Sequence, residues 1–193
     1  MTSKIKILAL FGKSGSWKDT VQNLLLTHTE DTFHKIVSCT TRPIRENEAE
    51  GHDYHFISKE LFTLKMWDEE FIEALEFNGW FYGALISALD PNKINIGIFT
   101  PEEIESLFST ASAYNLEILP VYVKCPDKTR LLRILNREQN PDVAEICRRF
   151  AADEKDFSEI DLDFYFSILN DSDRIDLVER IVTLLRDCKD FFD

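Results

Sequence analysis

Residues 4–20 constrain this chain more than any other stretch. Lys4-Ile5-Lys6-Ile7-Leu8-Ala9-Leu10-Phe11 is a short apolar run of strand character. Gly12-Lys13-Ser14-Gly15-Ser16-Trp17-Lys18-Asp19-Thr20 is a loop, and Val21, Leu24 and Leu25 open a helical apolar stripe. Strand, loop and helix in that order aim backbone N–H groups and a helix N-terminus at one point, where an anion can sit. The phosphate-cradling pattern G-x-x-x-x-G-K-[ST] is met by Gly12 and Lys18, Gly15 adds a second flexible point, and Thr20 brings a hydroxyl one place late. Trp17 stands where the second glycine belongs and Asp19 where the metal-binding hydroxyl belongs. On these residues alone an ordinary strand–turn–helix is an equal alternative.

Length and composition narrow the setting. At 193 residues, 44% of them hydrophobic, the chain can bury a full core as one domain with a subdomain or insert. No apolar run reaches the roughly 18–20 residues that span a bilayer. The chain passes from Ser3 straight into a strand, so no cleaved export signal is expected. Cys39, Cys125, Cys147 and Cys188 are scattered without metal or redox spacing, the usage of a cytoplasmic protein with reduced thiols. A formal net charge of −13 argues against nonspecific binding to nucleic acid or anionic membrane. Lys13, Lys18, Arg42, Arg45, Arg137, Arg148 and Arg149 nevertheless lie in segments that can converge. An acidic protein that gathers its arginines in one cleft selects a small, highly charged ligand.

The periodicity predicts a helix over 18–28, a strand over 33–39 with Ile36 and Val37 buried, and a polar excursion over 40–53. A short strand at 54–58 and a helix at 59–68 follow. Phe71–Phe77 and Trp80–Leu85 flank Asn78-Gly79, a strong two-residue hairpin signal. Ile94–Phe99 reads as a strand, and Pro101 with Glu102 and Glu103 as a helix start. Leu116–Val123 is a strand whose Pro120 predicts an edge or a bulge. Helices at 127–136 and 143–155, broken from Glu138 to Pro141, form an α-hairpin. A strand at 164–169 and a helix from Asp173 to Cys188 close the chain, the helix carrying Ile175, Leu177, Val178, Ile181, Leu184 and Leu185 on one face. Alternation of this kind gives an α/β fold, a parallel sheet covered by helices on both faces, with ligands at the carboxyl ends of the strands.

Arg42 and Arg45, with Tyr54 nine residues on, suit a phosphate monoester: two guanidinium forks and a phenol around one dianion. A solvated loop with incidental charges is the competing reading of that spacing. The whole segment, however, resembles the signature of guanylate kinases, T-T-R-x-x-R-x-x-E-x-x-G-x-D-Y-x-F. Thr40, Thr41, Arg42, Arg45, Glu48, Gly51, Asp53, Tyr54 and Phe56 all match in register. Phe71-Ile72-Glu73, Asn78-Gly79 and Tyr82-Gly83 also resemble family blocks, and the likeness runs from the first strand to Asn170-Asp171.

The resemblance implies a P-loop kinase core over 1–38 and 93–193, a small mixed-β monophosphate-binding subdomain over 39–92, and a helical lid at about 126–156. It implies transfer of phosphate from ATP, with Mg²⁺, to GMP or dGMP. Ser38, Arg42, Arg45, Glu48, Tyr54, Glu73, Tyr82 and Gly83 would then contact GMP, with Glu73 accepting from the guanine N1–H and amino group. Gly12 to Thr20 and Asn170 would hold ATP, and Asp19 is the candidate metal contact. Lys18, Arg42, Arg137 and Arg149 would serve the reaction, with Arg148 an alternative to Arg149. Surface charges on an exposed helical hairpin are the other reading of those last three arginines. Besides Trp17 and Asp19, the chain departs from the family at Gly97-Ile98-Phe99, where an acidic D-I-D segment is absent, and at Ala84, where a hydroxyl residue is replaced. Those departures leave two further expectations open: a module that binds a phosphorylated ligand without turnover, and a kinase of shifted base choice.

Overall fold

A computed structural model describes residues 3–28, 31–46, 48–137, 140–171, 174–188 and 191. Strand β1 (Ile5–Phe11) is its axis, buried continuously from Ile7 to Phe11 as expected of a strand covered on both faces. It pairs in parallel with β7 (Ile94–Ile98) on one side and β8 (Leu116–Lys124) on the other. β2 (Phe33–Lys35) and β9 (Phe166–Leu169) complete a five-stranded parallel sheet of order β2-β7-β1-β8-β9.

The alternation along β1 divides the main core. Leu8 and Leu10 pack with Val21, Leu24 and Leu25 of helix α1 (Lys18–His28) and with Ile181 and Leu184 of α6 (Arg174–Asp187). Ile7, Ala9 and Phe11 face Ile104 and Leu107 of α3 (Pro101–Thr110) and Phe157 of α5 (Val143–Phe157). Helix α3 starts on a full capping box between Thr100 and Glu103, with Pro101 at the first turn as read from sequence. Helix α4 (Asp127–Arg137) precedes α5, which Asp142 caps. Glu138, where the break was expected to begin, and Asp173, the expected start of the last helix, lie outside the described residues, as does the side chain of Ile175.

A second sheet, of order β4-β3-β6-β5, lies within residues 39–85. Its strands are β3 (Cys39–Thr40), β4 (His55–Phe56), β5 (Phe71–Phe77) and β6 (Trp80–Leu85). Asn78 and Gly79 turn the β5–β6 hairpin with φ of 53° and 80°, the backbone a tight two-residue turn requires. Helix α2 (Lys59–Trp67), capped by Ser58, drops Phe62 between Phe71 and Phe81 at ring distances of 4.4 and 5.3 Å.

Two expectations are corrected. The run 33–39 is not one strand: β2 ends at Lys35, Ile36 still donates to the Ile96 carbonyl at 2.9 Å, and the chain then crosses to the second sheet, leaving Val37 only half-buried. Pro120 sits in β8, which has neighbours on both sides of the sheet. But β9 pairs only from Val121 onward, so beside Pro120 the ladder is one-sided and the missing N–H costs nothing. Among the described residues no helix is long and apolar enough to cross a membrane.

Candidate functional site

The carboxyl end of β1 opens on a cleft of about 930 Å³, within the range of small-molecule sites. Gly12, Ser14 and Lys18 line it from the loop, and Ser38, Arg42, Arg45, Tyr54 and Tyr82 from the second sheet and its connections. Glu102 and Glu103 of α3 and Arg148, Arg149 and Asp153 of α5 line it too.

The loop is built by close approach. A Cβ on Gly12 would lie 2.7 Å from the Val123 carbonyl, and one on Gly15 (φ 76°) 2.9 Å from the Arg130 carbonyl. Trp17 takes the left-handed conformation, φ 57°, at the very place the phosphate pattern reserves for glycine. That backbone costs a residue with a Cβ roughly 1–2 kcal/mol. The indole does not enter the cleft. It is 44% exposed and lies over the Arg133 guanidinium, 4.2 Å from ring centroid to Cζ. Such a stack contributes roughly 0.5–2 kcal/mol and offsets much of the strain. Arg133 in turn donates to the carbonyl and Oδ1 of Asn170 at 2.9 and 3.2 Å, and Asn170 Nδ2 donates to the Ser16 carbonyl at 2.7 Å. Asn170, expected beside the donor base, is thus buried and braces the loop.

Lys18 Nζ donates to the Gly12 carbonyl at 2.7 Å. Burial lowers its pKa to about 8, against the opposing fields of Asp153 and Asp19. Asp19 is exposed and Thr20 half-buried, both on the first turn of α1. Ser16 is fully buried and its Oγ has no hydrogen-bond partner. Lys13 pairs with Glu154 and does not line the cleft. Among the described residues no three His, Cys, Asp or Glu side chains gather as a metal site.

On the facing wall, Arg42 is buried and its two terminal nitrogens each donate to Glu48 at 2.7 Å. The rings of Tyr54 and Phe56 lie 5.2 and 5.6 Å from its guanidinium carbon. Glu48 also accepts the Arg45 N–H at 3.0 Å, so it stands behind the arginines rather than on the cleft wall. Tyr54 and Tyr82 meet edge to face at 6.0 Å. Glu73 is only 2% exposed and does not itself line the cleft, and neither carboxylate oxygen has a hydrogen-bond partner. Burial first, then the nearby Glu103 carboxylate, pushes its pKa well up, and burial raises that of Glu103 as well. Gly83 lies under Glu73 and Phe71, where a Cβ would be 2.8 Å from the Glu73 carbonyl.

The third wall is mixed. Arg148 and Arg149 both hold Glu145, by Nε at 2.6 and 2.8 Å, which brings the Glu145 pKa down to about 2. Arg137 is exposed and outside the cleft lining. Of the seven basic residues in segments able to converge, Lys18, Arg42, Arg45, Arg148 and Arg149 line the cleft together, and Lys13 and Arg137 do not.

A family model described as guanylate kinase matches residues 4–187. The chain belongs to the guanylate kinase family. A guanylate kinase of Mycoplasma genitalium is 29% identical over 166 residues, 86% of this chain and 69% of that protein. One of Anaplasma phagocytophilum is 31% identical over 184 residues, 93% of this chain and 85% of that protein. The crystal structure of guanylate kinase from Anaplasma phagocytophilum superposes with a TM-score of 0.67 at 24% identity, covering 96% of this chain and 86% of that one, so the P-loop kinase fold is shared.

The departures from the guanylate kinase pattern now have physical settings. Phe99 is buried and also reaches the cleft, with its ring over Gly97 so closely that a Cβ there would force the ring to shift. Carboxylates reach this part of the cleft instead from the next helix, through Glu102 and Glu103. Ala84 is buried in the core between the sheets and presents nothing polar. Four further residues bear on the site and escaped sequence reading: Glu103, Arg130, Arg133 and Asp153. Glu103 was visible only as a helix-start acid, and the other three reach the loop through contacts that no local pattern encodes.

Proposed function

We propose that this guanylate kinase family member is an ATP-dependent nucleoside monophosphate kinase that converts ATP and GMP, or dGMP, to ADP and GDP, or dGDP. One observation carries the reading: the Arg42, Arg45, Tyr54 and Tyr82 wall and the Gly12–Ser14–Lys18 wall face a single cleft. An acceptor monoester and a donor triphosphate can therefore meet without leaving it. The acceptor phosphate oxygen attacks the γ-phosphorus in line. A new P–O bond forms as the bond to the β-phosphate oxygen breaks, and no side chain becomes covalently attached.

In this scheme Arg42, Arg45, Tyr54 and Tyr82 grip the acceptor phosphate, and Glu48 positions Arg42. Ser38 and Glu73 read guanine, whose N1–H and amino group offer the paired donors that an unpartnered buried carboxyl lacks. Loop amides and Lys18 balance the donor phosphates. Mg²⁺ enters as part of the substrate MgATP, with Asp19 the carboxylate available to it directly or through water. Arg149 or Arg148 meets the transferring group from α5, and Arg137 would join them only by moving. Residues 39–92 serve as the acceptor subdomain and about 126–156 as the lid, in a protein of the cytoplasm.

Two other readings have a specific basis. Trp17 in the glycine position of the loop and the absent acidic segment at Gly97-Ile98-Phe99 favour a module that binds a phosphorylated ligand and does not turn over, and Ala84 favours a shifted base. A coupled ADP-release assay across the nucleoside monophosphates, on this protein and on Trp17→Gly, separates them. GMP and dGMP are expected to exceed every other monophosphate at least tenfold. Silence in both proteins with GMP still bound would establish the module, and similar rates with several bases the shifted kinase.

Glu73→Gln tests the guanine reader. An amide offers one acceptor and one donor where guanine needs two acceptors, so selectivity for GMP over AMP is expected to fall about 5- to 150-fold, the equivalent of roughly 1–3 kcal/mol. The same change should raise the melting temperature at pH 7. A carboxyl whose pKa is raised by folding destabilises the native state progressively as pH climbs above the ordinary glutamate value, and glutamine is exempt. Melting curves at about pH 4.5 and pH 7 check the sign: the gap between the two proteins widens with pH.

A further inference from the structure

Helix α5 lays a carboxylate on the phosphate loop. Asp153 accepts the Ser14 backbone N–H through both oxygens, at 3.1 and 2.9 Å, and the Ser14 hydroxyl at 3.1 Å. It is also paired with Nη2 of Arg130. Arg130 is 1% exposed and is anchored besides by the Ser14 carbonyl, at 2.8 Å from Nε, and by Asp127. A loop amide, a hydroxyl and a buried guanidinium are the donors a phosphate oxygen seeks. Asp153 lines the cleft beside Lys18, whose titration feels its charge. The next residue, Glu154, holds Lys13 of the same loop. Two consecutive acids thus fasten α5 to the loop.

We infer that Asp153 is a resident anion of the donor-phosphate cradle, which a triphosphate must displace from the Ser14 amide, releasing α5 from the loop as it binds. The inference rests on the phosphotransferase reading only for the identity of the displacing ligand. Its physical content is competition: two anions cannot share one amide, and the carboxylate of a covalently attached helix is always at high local concentration. Donor affinity is then set low, and helix α5, which also carries Arg148 and Arg149, becomes responsive to whether the cradle holds a phosphate.

Inorganic tripolyphosphate and MgATP, titrated calorimetrically into the full chain and into Asp153→Asn and Asp153→Ser, test this. Both variants keep a polar group near Ser14 but remove the negative charge. Each is expected to bind either probe at least fivefold more tightly, with GMP affinity changed less than twofold. Unchanged or weaker probe binding in the folded variants overturns the proposal and makes Asp153 a positioning residue for Arg130. A measurement on the chain with Asp153 intact covers the case in which neither variant folds. Cys147 is the exposed cysteine of α5 and the other three are buried, so it takes a thiol-reactive fluorophore selectively. Saturating tripolyphosphate should shift its emission, and binding without any shift overturns the proposal. Tighter probe binding in variants that never turn over GMP would sink the phosphotransferase reading and leave this one standing. Normal turnover with unaltered probe affinity would do the reverse.

Discussion

Lys18→Ala will reduce kcat/KM for ATP about a thousandfold, roughly 4 kcal/mol of lost transition-state stabilisation. The ammonium is held by the Gly12 carbonyl at the mouth of the loop and is largely desolvated, so nothing else of like charge can take its place there. Water would not substitute for it, because positioned charge in a low-dielectric site counts for far more than mobile charge in solvent. Steady-state kinetics with ATP varied give the size of the effect, and a thermal melt separates it from unfolding. A pH series supplies an internal check. Burial lowers the Lys18 pKa to about 8, and a polyphosphate prefers the protonated amine. Triphosphate affinity should therefore fall as pH rises beyond about 8, approaching tenfold per pH unit in the limit of one linked proton. That slope should be absent from Lys18→Ala. A thousandfold loss is refuted if the variant keeps more than about a tenth of the parent rate.

Arg42→Ala should be nearly as severe, but on the acceptor side. KM for GMP is expected to rise about a hundredfold with little change in KM for ATP, since a two-pronged contact to a phosphate dianion is removed. The protein should also lose about 1–2 kcal/mol of stability. Glu48, whose side chain is only 16% exposed and whose pKa is held down chiefly by Arg42, would keep a mostly buried carboxylate without its cation. Arg42→Lys should not rescue either loss, because one ammonium cannot satisfy both Glu48 oxygens and a ligand. Denaturant melts and GMP titrations on the two variants decide the matter. Equal damage to both substrates would mean that the clamp is not confined to the acceptor.

What was legible in the chain was local. The β1–loop–α1 unit is encoded by an apolar run, glycines and a lysine at fixed spacing, and the β5–β6 hairpin by Asn78-Gly79 between two alternating runs. The arginine loop was readable as phosphate chemistry, and its registered match to the family pattern carried nearly all the functional inference. Periodicity could not show that the chain leaves one sheet for another between Lys35 and Cys39, because a strand and its extended continuation have the same alternation. Nor could it show that Glu48 braces Arg42 rather than facing the cleft. The pairing of Asp153 with Ser14 spans 139 residues, and the stack of Trp17 on Arg133 joins the loop before α1 to the middle of α4. Contacts of that separation are a product of packing, and neither partner advertises the other.

The stack at Trp17 has an evolutionary corollary. An aromatic residue in a left-handed backbone is tolerable while Arg133 covers its ring, and Arg133 without that ring loses one of its supports. Relatives that keep the tryptophan are expected to keep the arginine, whereas those with glycine at position 17 hold it through Asn170 without the ring. Loss of the arginine should therefore be rare wherever the tryptophan is kept.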